Sequence, residues 1–92
     1  MTKKILIEEI VSIYNIEITF LDSLEECGLL STNTENEKKY ISLDDIPDLE
    51  RFVNWHYDLE VNIPGLEIIN NLLKKIESLE EEKKLLMSQI GY

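Results

Sequence analysis

The first third of the chain carries two short apolar stripes with helical spacing. The first stripe predicts a helix over residues 7–14. The second predicts a short helix over residues 18–27, with Leu21 and Leu24 facing inward, and Gly28 suits the cap at the C-terminal end of this second helix. Only a short turn separates the two helices, which is the outline of a helix-turn-helix. Four residues of the first helix recur at i, i+3, i+4 and i+7 and so share one face: Ile7, Ile10, Val11 and Tyr14.

The middle of the chain is polar and then becomes helical again. Residues 31–39 are rich in Ser, Thr, Asn and Glu, which predicts a surface loop or a β-hairpin ending in a short strand at Tyr40 and Ile41. Ser42 is placed to cap a third helix, and the Pro-Gly dipeptide at residues 64–65 is expected to break the helical pattern. The apolar stripe of the third helix comprises Ile46, Leu49, Phe52, Val53, His56 and Leu59.

The last segment has the most regular spacing of the chain. In heptad terms, Ile recurs at position a and Leu at position d, a pattern that favours two-stranded coiled coils, and Lys83 is a polar break at a. About three heptads are short for an independent coiled coil, so this helix is expected to gain its stability by packing on its own domain or on a second copy. We expect a homodimer, with parallel or antiparallel pairing left open. The seam residues are Ile69, Leu72, Ile76, Leu79, Leu86 and Ile90.

Composition and charge narrow the class of protein. With 92 residues, 43% of them hydrophobic and 30% charged, the chain fits one globular domain. Nine Lys and Arg against 19 Asp and Glu give a net charge of -10, which disfavours nucleic acid and anionic lipid and favours a basic protein partner. The single Cys27, without a secretory signal or a membrane-spanning apolar run, predicts a cytoplasmic protein.

Residues capable of catalysis or metal binding are sparse. One histidine, His56, and one cysteine are too few for a zinc site, and His56 lies on an apolar stripe, as structural histidines do. No phosphate-binding glycine loop or catalytic serine motif is present, so neither enzymatic activity nor a cofactor is expected. The neighbours Trp55, His56 and Tyr57 span too many faces of a helix for all three to be buried, so at least one is expected at the surface or in an interface.

Several stretches resemble known regulators. Residues 7–30, read as IEEIVSIYNIEITFLDSLEECGLL, are similar to the start of MerR-type regulators, and residues 40–46 resemble the strand and helix start that follow the wing of those proteins. The closer resemblance is to chaperone modulators of the CbpM type, a MerR-like branch. It is carried by residues 47–73, above all by the H-Y-D-L-x-x-N-x-x-G motif over residues 56–65, and by L-x-x-K-I-x-x-L-x-x-E over residues 72–82.

The resemblance implies both a fold and a function. The fold would be mainly α, with a MerR-like winged helix-turn-helix domain and third helix over residues 1–62. A long C-terminal dimerisation helix with a coiled-coil seam would follow over residues 63–92. Proteins of the CbpM type bind the J domain of a DnaJ-like co-chaperone and restrain its activity, so the implied function is that of an inhibitor that covers the basic surface of a J domain.

The charge of the first two helices agrees with a protein partner. MerR regulators usually place arginine and then aromatic residues in the recognition helix, whereas Asp22 and Ser23 stand at the matching places here. We therefore expect Asp22, Glu25 and Glu26 to contact the partner, with Trp55 and Tyr57 as the other candidates. Between residues 5 and 30 there is no Lys or Arg, and six acids give a sum of -6: Glu8, Glu9, Glu17, Asp22, Glu25 and Glu26.

Two other functions remain open from the residues alone. A MerR-type DNA-binding transcriptional regulator would have the same fold and a dimerising helix, but before Arg51 its basic residues are confined to residues 3–4 and to Lys38 and Lys39, which we interpret as a solvated loop tip. A plain dimeric adaptor would use its coiled coil to recruit an unrelated protein.

Overall fold

The computed structural model describes residues 3–91, which form a mainly α fold with a small sheet, as predicted. A short 3-10 turn (Leu43–Asp45) and a π-helical turn (Asn54–Asp58) lie at the two ends of the third helix. The regular elements in chain order are β1 (Lys4–Leu6), α1 (Ile7–Tyr14), α2 (Ile18–Glu26), β2 (Asn33–Glu35), β3 (Lys38–Ser42), α3 (Ile46–Val53) and α4 (Ile63–Gln89).

The helix-turn-helix follows the predicted bounds closely. In α1, Ile7 and Ile10 are buried, so the predicted stripe does face the core. In the turn that follows, Asn15 adopts a left-handed conformation with φ 52°, which asparagine tolerates better than most residues. Gly28, with φ +80°, reverses the chain after α2 as the sequence predicted.

The sheet has three antiparallel strands in the order β1–β3–β2. Of the two predicted alternatives, a surface loop or a hairpin, the structure has the hairpin: β2 and β3 pair, with Thr34 opposite Lys39. Strand β1, which the sequence did not predict, pairs with β3 through Ile5 and Ile41. Three residues are too few for an alternating pattern that would predict a strand. Strand β1 forms because β3 provides the neighbouring strand to which it hydrogen-bonds.

The third helix departs from the sequence prediction at both ends. Ser42 caps the 3-10 turn, its hydroxyl accepting a hydrogen bond from the Asp44 N–H at 3.2 Å. The α-helix then ends at Val53 and passes into the π turn, so it is not one continuous helix to Leu59. Leu59 lies beyond the helix and is 62% exposed, so its assignment to the apolar stripe was wrong.

The helical pattern breaks just before the Pro-Gly dipeptide, over residues 59–62, and the last helix begins at Ile63, the residue at which the C-terminal helix was expected to begin. Pro64 lies in the first turn of α4, where its missing N–H has no helical partner in any case. The Asn62 side chain caps that turn by accepting a hydrogen bond from the Gly65 N–H at 2.8 Å. Together these features fix the start of α4 at Ile63.

One apolar core holds the helices and the sheet together. Leu66 is completely buried and anchors the start of α4 to that core, whereas every residue from Lys74 to Gly91 is exposed. At about 1.5 Å per residue, the 27 residues of α4 extend for about 40 Å. Among residues 3–91, no helix is long and apolar enough to cross a membrane. The buried apolar residues are Ile7, Ile10, Ile16, Phe20, Leu21, Leu24, Leu30, Ile41, Leu49, Phe52 and Leu66.

Candidate functional site

Helix α2 presents a buried face to the core and a charged face to solvent. Leu21 and Leu24 are 2% and 0% exposed, as the sequence predicted. Asp22 and Glu26 lie on the opposite side, one helical turn apart, and both are exposed. These two of the three predicted charged contacts are therefore available to a partner.

The third predicted contact, Glu25, is engaged within the chain. One of its carboxylate oxygens accepts a hydrogen bond from the Thr32 hydroxyl, and the other lies 3.0 Å from the Lys39 ammonium. The Thr32 hydrogen bond, followed by the bond and charge of Lys39, holds the pKa of Glu25 below its ordinary value. Glu25 thus fastens α2 to the β-hairpin and differs from Asp22 and Glu26 in its environment.

Lys39 is not the solvated loop tip that the sequence suggested. It belongs to β3, and its ion pair with Glu25 is accompanied by a pKa raised above the ordinary lysine value, chiefly through that hydrogen bond and charge. Sequence reasoning missed the role of Thr32 and Lys39, because residues seven and fourteen positions after Glu25 meet it only once the hairpin has folded. The pair neutralises the charge of Glu25, and Asp22 and Glu26 remain as exposed acids of α2.

The two aromatic candidates, Trp55 and Tyr57, point to different parts of the molecule. Trp55 is half-buried and packs against the core, with its ring centre 6.1 Å from that of Phe52. Tyr57 is 38% exposed, and its hydroxyl accepts a hydrogen bond from the backbone N–H of Glu17 at 3.0 Å. Tyr57 therefore lies beside the start of α2, whereas Trp55 is mainly a packing residue.

The π turn brings two consecutive rings against Phe20 of α2. The His56 ring stacks on Phe20 with ring centres 4.5 Å apart, and the Tyr57 ring meets Phe20 edge-on at 5.2 Å. The His56 Nδ1 atom is 2.7 Å from the Val61 carbonyl oxygen, which fixes the ring from its other side. Single π-helical turns recur at functional sites in proteins, and here the turn joins α2 to the start of α4.

An open cleft lies between α2 and the π turn, and we name it the α2 cleft. Its volume is about 240 Å³. Glu17 supplies the carboxylate of its lining and Phe20 the buried aromatic ring, so the cleft combines an acidic group with apolar surface. Sequence analysis had counted Glu17 among the acids but had not placed it beside Tyr57, forty positions away. The lining residues are Glu17, Thr19, Phe20, Ser23, His56, Tyr57 and Ile63.

No group of three or more His, Cys, Asp or Glu side chains among residues 3–91 is arranged to hold a metal ion. Cys27 is half-buried, and its Sγ atom lies 3.5 Å from the Leu24 carbonyl oxygen. Its contacts are those of a packing residue.

The predicted seam of α4 is mostly open to solvent in the single chain. Ile69 is half-buried near the anchor at Leu66, so only part of its surface remains for a second copy. The other five seam residues remain substantially exposed: Leu72 55%, Ile76 49%, Leu79 56%, Leu86 61% and Ile90 67%. This stripe of apolar side chains continues well beyond the part of α4 that contacts its own domain.

Comparison with known proteins identifies the family to which this architecture belongs. A family model described as MerR HTH family regulatory protein matches residues 5–88, a range that runs from the first strand almost to the end of α4. No curated protein and no solved structure shows a significant match to the chain. In this family setting α2 is the second helix of the helix-turn-helix and the β2–β3 hairpin is the wing. The chain belongs to the MerR family of helix-turn-helix regulatory proteins.

Proposed function

We propose that the chain is a non-enzymatic, protein-binding modulator of the CbpM type, which inhibits a DnaJ-like co-chaperone by binding its J domain in the cytoplasm. The observation that carries the proposal is the character of α2. At the position of a recognition helix it exposes Asp22 and Glu26, and it has no basic residue from which a phosphate contact could be made. A basic protein surface is the natural complement of such a helix.

The basic residue nearest to α2 does not offset this acidity for a partner. Lys39 is held by Glu25 at 3.0 Å, so its charge is already satisfied within the chain. DNA binding requires cations that displace counterions from phosphates, and residues 5–30 provide none. Electrostatic steering by the exposed carboxylates would instead speed the encounter with a basic J-domain surface.

The sequence motif that suggests the CbpM type has a clear structural use. His56 contacts the Val61 carbonyl, and Asn62 caps α4 at Gly65, so the motif builds the junction between the π turn and α4. That junction also sets Tyr57 beside α2. The residues that resemble the CbpM type are therefore the ones that shape the proposed binding surface. This supports the proposal that the chain binds the same kind of partner, a J domain.

We further propose that the functional unit is a homodimer formed through α4. The exposed stripe that includes Leu72, Ile76 and Leu79 is larger than the scattered apolar residues usual on a monomer. Lys75 and Glu82 flank this seam at g positions, and Glu80 lies at e, so either helix orientation offers pairs of opposite charge. Dimerisation would present two copies of the α2 surface.

A second candidate function is DNA-binding transcriptional regulation. It is favoured by the family match over residues 5–88, since the family is described as regulatory and helix-turn-helix. The acidic α2 opposes it. The two functions differ in one measurable property, because a DNA binder must retain duplex DNA in a salt-sensitive manner.

The decisive experiment measures association of the folded protein with the J domain of the host's own co-chaperone. A parallel measurement uses duplex DNA from the promoter region of the gene that encodes this protein. The test variant is Asp22→Lys with Glu26→Lys, which leaves Glu25 in place to hold the hairpin. The matched control is Glu77→Lys with Glu81→Lys, which has the same spacing and charge change on the exposed part of α4.

We expect the wild-type protein to bind the J domain and not the DNA. The α2 variant should associate about tenfold or more slowly at low salt, with a flatter salt dependence, because steering acts mainly on the association rate. The α4 control should associate nearly as fast as the wild type. Undetectable J-domain binding by folded wild-type protein would end the proposal, and salt-sensitive retention of DNA would establish the regulator in its place.

A further inference from the structure

The α2 cleft has the size of a site for one side chain. Its volume of about 240 Å³ lies below the roughly 300–1,000 Å³ usual for small-molecule sites. It is open on the outer side, and Ser23 in its lining stands next to Asp22 on α2. A partner lying against the acidic face of α2 would therefore pass over the mouth of the cleft.

The Glu17 carboxylate is the charged group of the cleft lining. One carboxylate oxygen of Glu17 accepts a hydrogen bond from the Thr19 hydroxyl at 3.2 Å, and the other makes no hydrogen bond within residues 3–91. Since the Val61 carbonyl can only accept a hydrogen bond, the His56 Nδ1 atom donates to it, and the ring is held in place at the edge of the cleft. No Lys or Arg lines the cleft.

The apolar part of the cleft suits a flat cation. Phe20 forms a buried wall, and the Tyr57 ring stands edge-on to it with 38% of the residue exposed. A guanidinium group is planar, carries five donors and stacks on aromatic rings, so it can use a carboxylate and a ring face together. An anion would meet the Glu17 carboxylate without a compensating cation.

We propose that the α2 cleft receives an arginine side chain of the partner, with Glu17 as its counter-ion and the aromatic lining as its stacking surface. This inference rests on the proposed function, because it assumes that a basic protein surface docks on α2. It assigns two separate roles to the acids of this region. The exposed Asp22 and Glu26 steer the encounter, whereas Glu17 holds the bound state.

These roles predict different kinetics. Glu17→Gln keeps the size of the side chain and removes its charge, and Ser23→Leu fills the cleft. Both variants should raise the dissociation rate of the J-domain complex about tenfold and leave its association rate nearly unchanged, because truncating one member of a bound charge pair acts mainly on dissociation. The control Ser78→Leu makes the same change on exposed helix surface and should match the wild type.

A second measurement probes the cleft without the J domain. N-acetyl-arginine amide at millimolar concentration should shift the backbone amide resonances of Glu17, Phe20 and Ser23 in the wild-type protein and not in Ser23→Leu. N-acetyl-citrulline amide, which has the same shape without the charge, should shift them much less. Circular dichroism of each variant identifies any loss of fold, and Glu17→Gln alters only an exposed side chain.

The outcomes separate this inference from the function on which it rests. If the wild type binds the J domain and both cleft variants dissociate at the wild-type rate, the cleft is not the arginine site, although the proposed function stands. If the wild type does not bind the J domain, the proposed function fails, and selective shifts with the arginine probe would still support the cleft. Equal shifts with arginine and citrulline, or none with either, would overturn the inference.

Discussion

Replacing Ile76 and Leu79 with aspartate should convert a dimer of this protein into monomers. Both side chains lie on the seam of α4, in the part of the helix that does not touch its own domain. In a two-stranded coil they would lie at neighbouring a and d positions, where each inserts between residues of the facing helix. Their loss removes the centre of the proposed interface and leaves the core untouched.

The size of the effect follows from the surface that remains to be buried. Complete burial of a Leu or Ile side chain contributes about 1.5–3 kcal/mol, and Ile76 and Leu79 are still 49% and 56% exposed in the single chain. About half of that gain therefore remains, and four such side chains in a dimer contribute roughly 3–6 kcal/mol. At about 1.4 kcal/mol for each tenfold change, the dimer dissociation constant should rise by roughly 10²- to 10⁴-fold.

Sedimentation equilibrium over a range of concentrations measures this change directly. The wild type should approach twice the chain mass of 10.8 kDa, and the variant should remain at the single-chain mass. Asn71→Asp with Ser78→Asp adds the same charge on exposed positions away from the seam and should still dimerise. A wild-type chain that stays monomeric at high concentration would refute the reasoning, because the apolar stripe would then need another occupant.

Two further predictions concern stability. Leu66→Ala should lower the free energy of unfolding, measured by chemical denaturation, by about 2–5 kcal/mol, because removing a completely buried side chain leaves a cavity where α4 meets the core. A loss well under about 1 kcal/mol would show that α4 is not anchored there. Glu25→Gln should lower the melting temperature slightly at pH 7 and have no effect on it in strong acid. Because the folded pKa of Glu25 lies below its ordinary value, the stabilisation by its carboxylate is present above about pH 4.5 and is lost as the pH falls through the folded pKa. A decrease in melting temperature of equal size at pH 2 would contradict this.

The acidity of the proposed binding surface could be read from the sequence, but the separate roles of its acids could not. The count of six acids without a basic residue between positions 5 and 30 needs no structure. That Glu25 is tied to Thr32 and Lys39, whereas Asp22 and Glu26 face solvent, depends on where the hairpin packs. The α2 cleft likewise depends on a contact between Glu17 and Tyr57 across forty positions.

The sequence by itself determined the elements whose stabilising contacts are local or periodic. The bounds of α1, the inward face of α2 and the reversal at Gly28 follow from i, i+3, i+4 spacing and from backbone preferences within a few residues. The tertiary structure decided β1 and the π turn after Val53. Both depend on partners that folding brings close, β3 for the first strand and Phe20 for the His56 ring of the π turn, and the spacing of apolar residues along the chain does not reveal such contacts.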